Sequence, residues 1–335
     1  PPTTVSAPAP LGVVAPTTGP TGQSAAQAFL GQKGALAVAK SNGVPVSAPV
    51  TANAAATTST ASRVLHNFNG TSSNDSRLTN FNQEFEPPDQ GLCVGNGNVL
   101  EPVNSAYRIF NLHGKTLVGP TNVNDLFDQG SAQYTSDPRC YYDPTTHTWF
   151  ATILFLSGGE NPDGVSSQLD IAVNSTGNPE NLWTQYEIDT TNAGGNGCPC
   201  FGDQPTLGID QHNLYVTTNE FSIIGPQFNG AQIYAISKRD LVKGVPAHFA
   251  HFSHLRIAGG RAASVQPALS TGNANAEYFL SSQNSQGGAH GGSNGQNSQI
   301  GVWAMTDRTA LQTGHSPVLS STLITSEAYG QPPAA

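Results

Sequence analysis

The sequence predicts an all-β protein, a β-propeller of four-stranded blades. Three observations predict it. A hairpin of one plan recurs four times along the chain, and each copy is followed by two further runs with strand composition. Four strands per repeat is the plan of a propeller blade. Only 10% of residues are charged while Gly and Pro number 36 and 24, a profile of turns and short strands rather than helices.

The best-marked hairpin is SDPRCYYDPTTHTWFATILF. A short strand, Arg139–Tyr142, turns at Asp143-Pro144-Thr145-Thr146 and returns as Thr148–Phe155. Pro fixes φ in such a turn, and Asp bonds the backbone beyond it. Leu169–Asn174 and Trp183–Ile188 complete that repeat. The preceding repeat opens at Asp89, turns at Gly95–Asn98 and continues through Val99–Asn104, Tyr107–Asn111 and Lys115–Val118. The third opens at Asp203-Gln204-Pro205, with Thr206–Ile209, Leu214–Phe221, Gln232–Ser237 and a strand within Phe249–Ile257. The fourth opens at Gln266-Pro267, with Glu277–Ser281, Ile300–Met305 and Val318–Ile324. Gln331-Pro332 then stands where a fifth repeat would start, so at least four blades are expected, as part of a larger propeller that the chain stops short of completing.

Residues 1–62 are Pro-, Ala- and Thr-rich with almost no charge, and they read as a disordered linker or stalk ahead of a propeller spanning 63–335. Gln23–Lys40 is a candidate Ala-rich helix within it. Arg63–Asn69 reads as a strand, Gly70–Glu86 as a loop, and the Gly- and Asn-rich Asn284–Asn297 as a mobile loop.

A net charge of −9 argues against a nucleic-acid partner or an anionic membrane surface. No apolar run has the length of a membrane span. Cys93 and Cys140 occupy matching positions in adjacent innermost strands, which suits a disulfide in an oxidising compartment. Cys198-Pro199-Cys200 is open between a disulfide, a redox-labile pair and a metal site.

Asp89, Asp137 and Asp203 each stand before an innermost strand, with Gln266 in the fourth place. Such a ring suits a hard cation, so the cofactor reading is either none or a structural Ca²⁺; the alternative is that each Asp bonds backbone amides where its strand begins. With Glu101 and Glu220, the same three residues are the candidate catalytic carboxylates. Trp183, as a sugar-stacking ring, and Arg139 and Gln266 are the candidate ligand-binding residues. His248, His251 and His254 are spaced by three, which on a strand alternates their faces and disfavours a shared metal. No nucleophile elbow, phosphate loop, zinc-protease helix or dinucleotide fingerprint is present.

The runs PPDQGLCVGNGNVLEPVN (87–104), SDPRCYYDP…WFAT (136–152), LDIAVNSTGNP (169–179) and GDQPTLGID…YVTTNEFS…FNGAQIYAISKRDL (202–241) resemble a family of uncharacterised bacterial secreted proteins. The resemblance runs from about Val64 to Leu323. It implies a β-propeller and a secreted or cell-envelope location, and it supplies no reaction. DPTTHTW also lacks the sialidase repeat arrangement. The leading expectation is therefore a monomeric, secreted, non-catalytic binding or scaffold domain for extracellular glycan or protein. The alternative is a carbohydrate-active hydrolase or lyase with carboxylates at the channel mouth.

Overall fold

The computed structural model describes residues 3–4, 10–17, 64–83, 85–158, 164–225, 227–283 and 296–330. Three short strands near the start, β1 (Thr3–Thr4), β2 (Leu11–Val14) and β3 (Pro16–Thr17), precede four antiparallel meanders. The first blade is β4 (Cys93–Gly95), β5 (Asn98–Val103), β6 (Ala106–Asn111) and β7 (Thr116–Thr121). The second is β8 (Tyr134–Asp143), β9 (Thr148–Ser157), β10 (Ser166–Asn174) and β11 (Thr184–Asp189). The third is β12 (Cys200–Ile209), β13 (Asn213–Ser222), β14 (Phe228–Ser237) and β15 (Ala247–Phe252). A small hairpin, β16 (Arg256–Ile257) and β17 (Gly260–Arg261), leads to the fourth: β18 (Gln266–Pro267), β19 (Glu277–Ser282), β20 (Gln296–Thr306) and β21 (Val318–Gly330). These are the four-stranded blades that the repeats predict.

The second strands β9 and β13 are buried at nearly every position instead of alternating. Both faces of each are covered, because successive side chains point to opposite sides and each side meets a neighbouring blade. Trp149, Ala151 and Ile153 face a core shared with Leu100 and Ile109 of the first blade. Phe150, from the same strand, packs with Leu214, Val216 and Tyr234 of the third. Tyr215 and Ile233 of the third blade meet Phe279, Trp303 and Met305 of the fourth. The inter-blade layers are therefore the hydrophobic core, and their aromatic residues are packing residues.

The turns form as their chemistry predicts. Asp143 accepts from the Thr145 N–H at 3.0 Å, and Asp210 from the N–H groups of His212 and Asn213 at 2.6 and 2.8 Å. Lys238 Nζ reaches back from the third blade to Asp143 Oδ2 at 2.9 Å and to the Asp210 carbonyl at 2.5 Å.

Two local expectations are corrected. Val64–Asn69 carries no strand, and the polar stretch after it contains a helix, α1 (Ser73–Thr79). Ser72 and Asp75 close a capping box at its start, which satisfies helix amides that a loop would leave to water. Within the segment expected to be a linker, β2 pairs with β15 as a fifth strand of the third blade, and β3 pairs with β11 of the second. Val14 is buried in the core between those blades, so the outer strand edges, otherwise lined with unpaired backbone groups, are covered from within the chain. The candidate helix Gln23–Lys40, Gln331 and nearly all of Asn284–Asn297 lie outside the described residues.

Candidate functional site

One residue per blade adopts a left-handed backbone where the inner strand begins or bulges: Asp89 (φ 43°), Asp137 (63°), Gln204 (50°) and Ser264 (47°). Non-glycine residues avoid this region, and holding one there costs on the order of 1–3 kcal/mol unless neighbours over-determine it. Here neighbours do. Asn104 Nδ2 donates to Asp89 Oδ2 at 2.8 Å, while Asn104 Oδ1 accepts from the Asp137 N–H at 2.8 Å. Asp137 Oδ2 in turn accepts from the Gln204 N–H at 3.1 Å. Asn219, opposite Asp203 on the paired strand, accepts from the Ser264 N–H at 2.8 Å. A polar run thus crosses all four blades at one end of the inner strands.

Asp89 accepts from Asn104, which also holds the Asp137 amide, and the Asp137 carboxylate accepts from the Gln204 amide. Among the described residues no group of three or more His, Cys, Asp or Glu side chains is arranged to hold a metal ion, so the proposed cation set Asp89, Asp137 and Asp203 does not assemble as one. Gln266 does not complete the ring. It is exposed on β18 opposite Leu280, and Ser264 takes its place. Arg139 is a clamp: its Nη1 donates to the carbonyls of Asp89 (2.9 Å), Gln90 (3.2 Å) and Pro138 (2.9 Å), which ties the first two blades.

Glu101 and Glu220, grouped by sequence, have different environments. Glu101 Oε2 accepts from the Thr71 N–H at 2.6 Å and its Oε1 from Gln90 Nε2, so it anchors the chain before α1. Glu220 is fully buried, opposite Gly202 and beside the Asn219–Asp203 pair. A Cβ on Gly202 would lie 2.9 Å from Glu220 Oε1, so the glycine leaves room for the carboxyl. Thr218 Oγ1 donates to Oε1 at 3.1 Å; Oε2 has no hydrogen-bond partner among the described residues. Burial pushes the Glu220 pKa up to about 8, against which the Thr218 bond pulls only weakly. Glu220 is therefore a carboxylic acid at neutral pH, one register step from Asp203, whose side chain faces the other side of the sheet with Asn219.

Sequence reasoning missed Asn104, directly after the second strand of the first blade in EPVN, and Asn219, late in that of the third in TTNE. It also missed Asp170, buried and pushed well upward in pKa by burial and the Glu187 charge, with Gln129 Nε2 donating to its Oδ2 at 3.0 Å. Trp183 lies away from the polar run, half-buried in a cleft of about 350 Å³ between the first two blades. The histidines do not converge: His248 bonds Asp240 at 2.9 Å, and His251 bonds Gln232 at 2.8 Å and stacks on Tyr234. The cysteines form two disulfides, Cys93–Cys140 and Cys198–Cys200.

No protein-family model and no curated protein matches the sequence. Solved structures do. An exo-β-1,3-galactanase from Clostridium thermocellum has a TM-score of 0.40 at 11% identity, over 73% of this chain and 49% of that one. An exo-β-1,3-galactanase from Phanerochaete chrysosporium has 0.36 at 9%, over 72% and 50%. The catalytic domain of a Coprinopsis cinerea GH62 α-L-arabinofuranosidase has 0.34 at 13%, over 68% and 69%. The chain spans about half the length of the two galactanases. These neighbours are glycoside hydrolases, which corrects the leading expectation of a non-catalytic binding or scaffold domain. Similarity at this level assigns neither substrate nor reaction to this chain, and the case for catalysis stands on its own carboxylates.

Proposed function

We propose that the chain is a carbohydrate-active hydrolase that works at the end of the inner strands that Asp89, Asp137 and Asp203 open. The observation that carries the reading is Glu220, a carboxyl whose pKa burial raises to about 8, one register step from Asp203 across the paired strands. Glycoside hydrolysis needs one carboxylic acid to protonate the leaving oxygen and one carboxylate to act as base or nucleophile. Enzymes obtain that pair by giving two carboxyls unlike environments. Glu220 has the environment of the acid, and Asp203 is the candidate for the second role. Asp137 fixes the backbone of Gln204, directly after Asp203, and so positions it. All four cysteines are paired, which suits an oxidising compartment and a secreted or cell-envelope enzyme acting on extracellular glycan.

A panel of polysaccharides incubated with the full chain, read by release of reducing ends, tests this. Product release that falls at least about 100-fold in Asp203→Asn and in Glu220→Gln supports the assignment. Folded protein that releases nothing from any glycan, or variants that release product undiminished, overturns it.

A further inference from the structure

The cleft that holds Trp183 lies between the outer strands of the first and second blades, apart from the polar run. Tyr107, Trp183, Gln185, Asp125, Asp128 and Glu180 are among its lining residues, and among the described residues no Lys, Arg or His lines it. Three of its side-chain donor groups are already engaged. Trp183 Nε1 donates to the Pro179 carbonyl at 3.0 Å, Gln185 Nε2 to the Leu126 carbonyl at 3.0 Å, and Asn181 Nδ2 to Thr176 Oγ1 at 3.0 Å. An acceptor is left over. Gln185 is only 6% exposed, and its Oε1 has no hydrogen-bond partner among the described residues. A buried amide oxygen without a donor is costly and marks a place for one.

The cleft therefore offers two aromatic rings, three carboxylate side chains and an unmatched buried acceptor, with its indole and amide donors engaged. A neutral polyol needs donors as well as acceptors from its site, whereas an ammonium needs acceptors alone and gains from aromatic faces. The charge of Asp125 also reaches the Tyr107 hydroxyl, whose pKa burial and that charge together raise. Carboxylate and ring thus act on the same small volume. We propose that this cleft binds a compact organic cation, an alkylammonium group carried by an amino sugar or by a lysine-like side chain. Its size suits a single sugar ring or one side chain. The proposal is independent of the hydrolase reading.

The test titrates the full chain with D-glucosamine, Nα-acetyl-lysinamide and neutral D-glucose at low ionic strength, following the Trp183 indole N–H signal by NMR. The expected result is saturable binding of at least one cation, at least about tenfold tighter than glucose and weakened by salt. Which cation binds better identifies the carrier. Asp125→Asn, a change at an exposed site, is expected to weaken that binding about tenfold while the fold is kept. Trp183→Leu is expected to abolish it, and Asp203→Asn to leave it unchanged. Glucose binding as well as the amines, no saturable shift from either amine up to about 50 mM, or Asp125→Asn binding like the parent overturns the proposal.

Discussion

The carboxylate of Asp137 in the second blade accepts a hydrogen bond from the backbone N–H of Gln204 in the third, at 3.1 Å. Asp137 is 2% exposed, and Gln204 stands in a left-handed conformation within the β12 bulge. Removing the acceptor leaves a strained amide unmatched in the blade interface. Asp137→Ala is expected to lose about 1–3 kcal/mol in urea unfolding. Asp137→Asn keeps an oxygen toward Gln204 and is expected to lose less than half as much. Equal losses would show that the contact does not fix the bulge.

Glu220 makes stability depend on pH in a defined direction. Its folded pKa is raised to about 8 from an ordinary 4.5, so the folded state holds a proton that the unfolded chain releases. The stability associated with that proton is complete below pH 4.5 and is lost as pH rises toward 8. Glu277, raised to about 7, acts in the same direction. Glu220→Gln is expected to flatten this decline and to gain on the order of 3 kcal/mol near pH 8 relative to the parent. Thermal unfolding at a series of pH values measures it.

The Lys238–Asp143 pair has the opposite sign. Burial alone would raise the Asp143 pKa, but the Lys238 ammonium and the bonds from Thr145 and Thr146 hold it below 3.8. That stability is present above pH 3.8 and is lost as pH falls through the lowered folded value. Lys238→Met leaves a buried carboxylate without its cation and is expected to cost about 3–5 kcal/mol at pH 7, with a smaller penalty in acid. Denaturant titrations of both proteins at pH 7 and pH 3 decide this.

The two disulfides differ in what they constrain. Cys93–Cys140 closes 47 residues between the first two blades, for which chain entropy gives about 4 kcal/mol. Cys198–Cys200 spans a separation of 2, and the same argument gives about 1 kcal/mol. Replacing the first pair by serines is expected to lower Tm by several times more than replacing the second. Comparable shifts in calorimetry would contradict the entropic account.

Deleting residues 1–17 exposes the edges of β15 and β11 and uncovers Val14's place in the core. A measurable fall in Tm and salt-promoted aggregation are expected, whereas a plain linker would be removed without effect.

The blades were legible because each carries its own local signal. The Asp-Pro turn and the apolar run Thr148–Phe155 need no distant partner to be recognised, and alternate side chains of one strand serve two cores wherever blades stack. The helix that the Ser72–Asp75 capping box starts is short and polar, and without an apolar periodicity its stretch carries the composition of a loop. The pairing of β2 with β15 was not legible: Leu11–Val14 is too short to declare itself, and an unpaired edge some 235 residues away makes it a strand.

The same division holds for the site. The sequence by itself determined that three aspartates open three successive inner strands, and hence that they gather at one end of a propeller. Only the tertiary structure decided what each carboxyl does. Glu101 is held by the Thr71 amide and Gln90, whereas Glu220 lies over a glycine with one oxygen unmatched. Charge state depends on burial and on donors brought from other strands, and neither is a property of the residue or its neighbours in the chain.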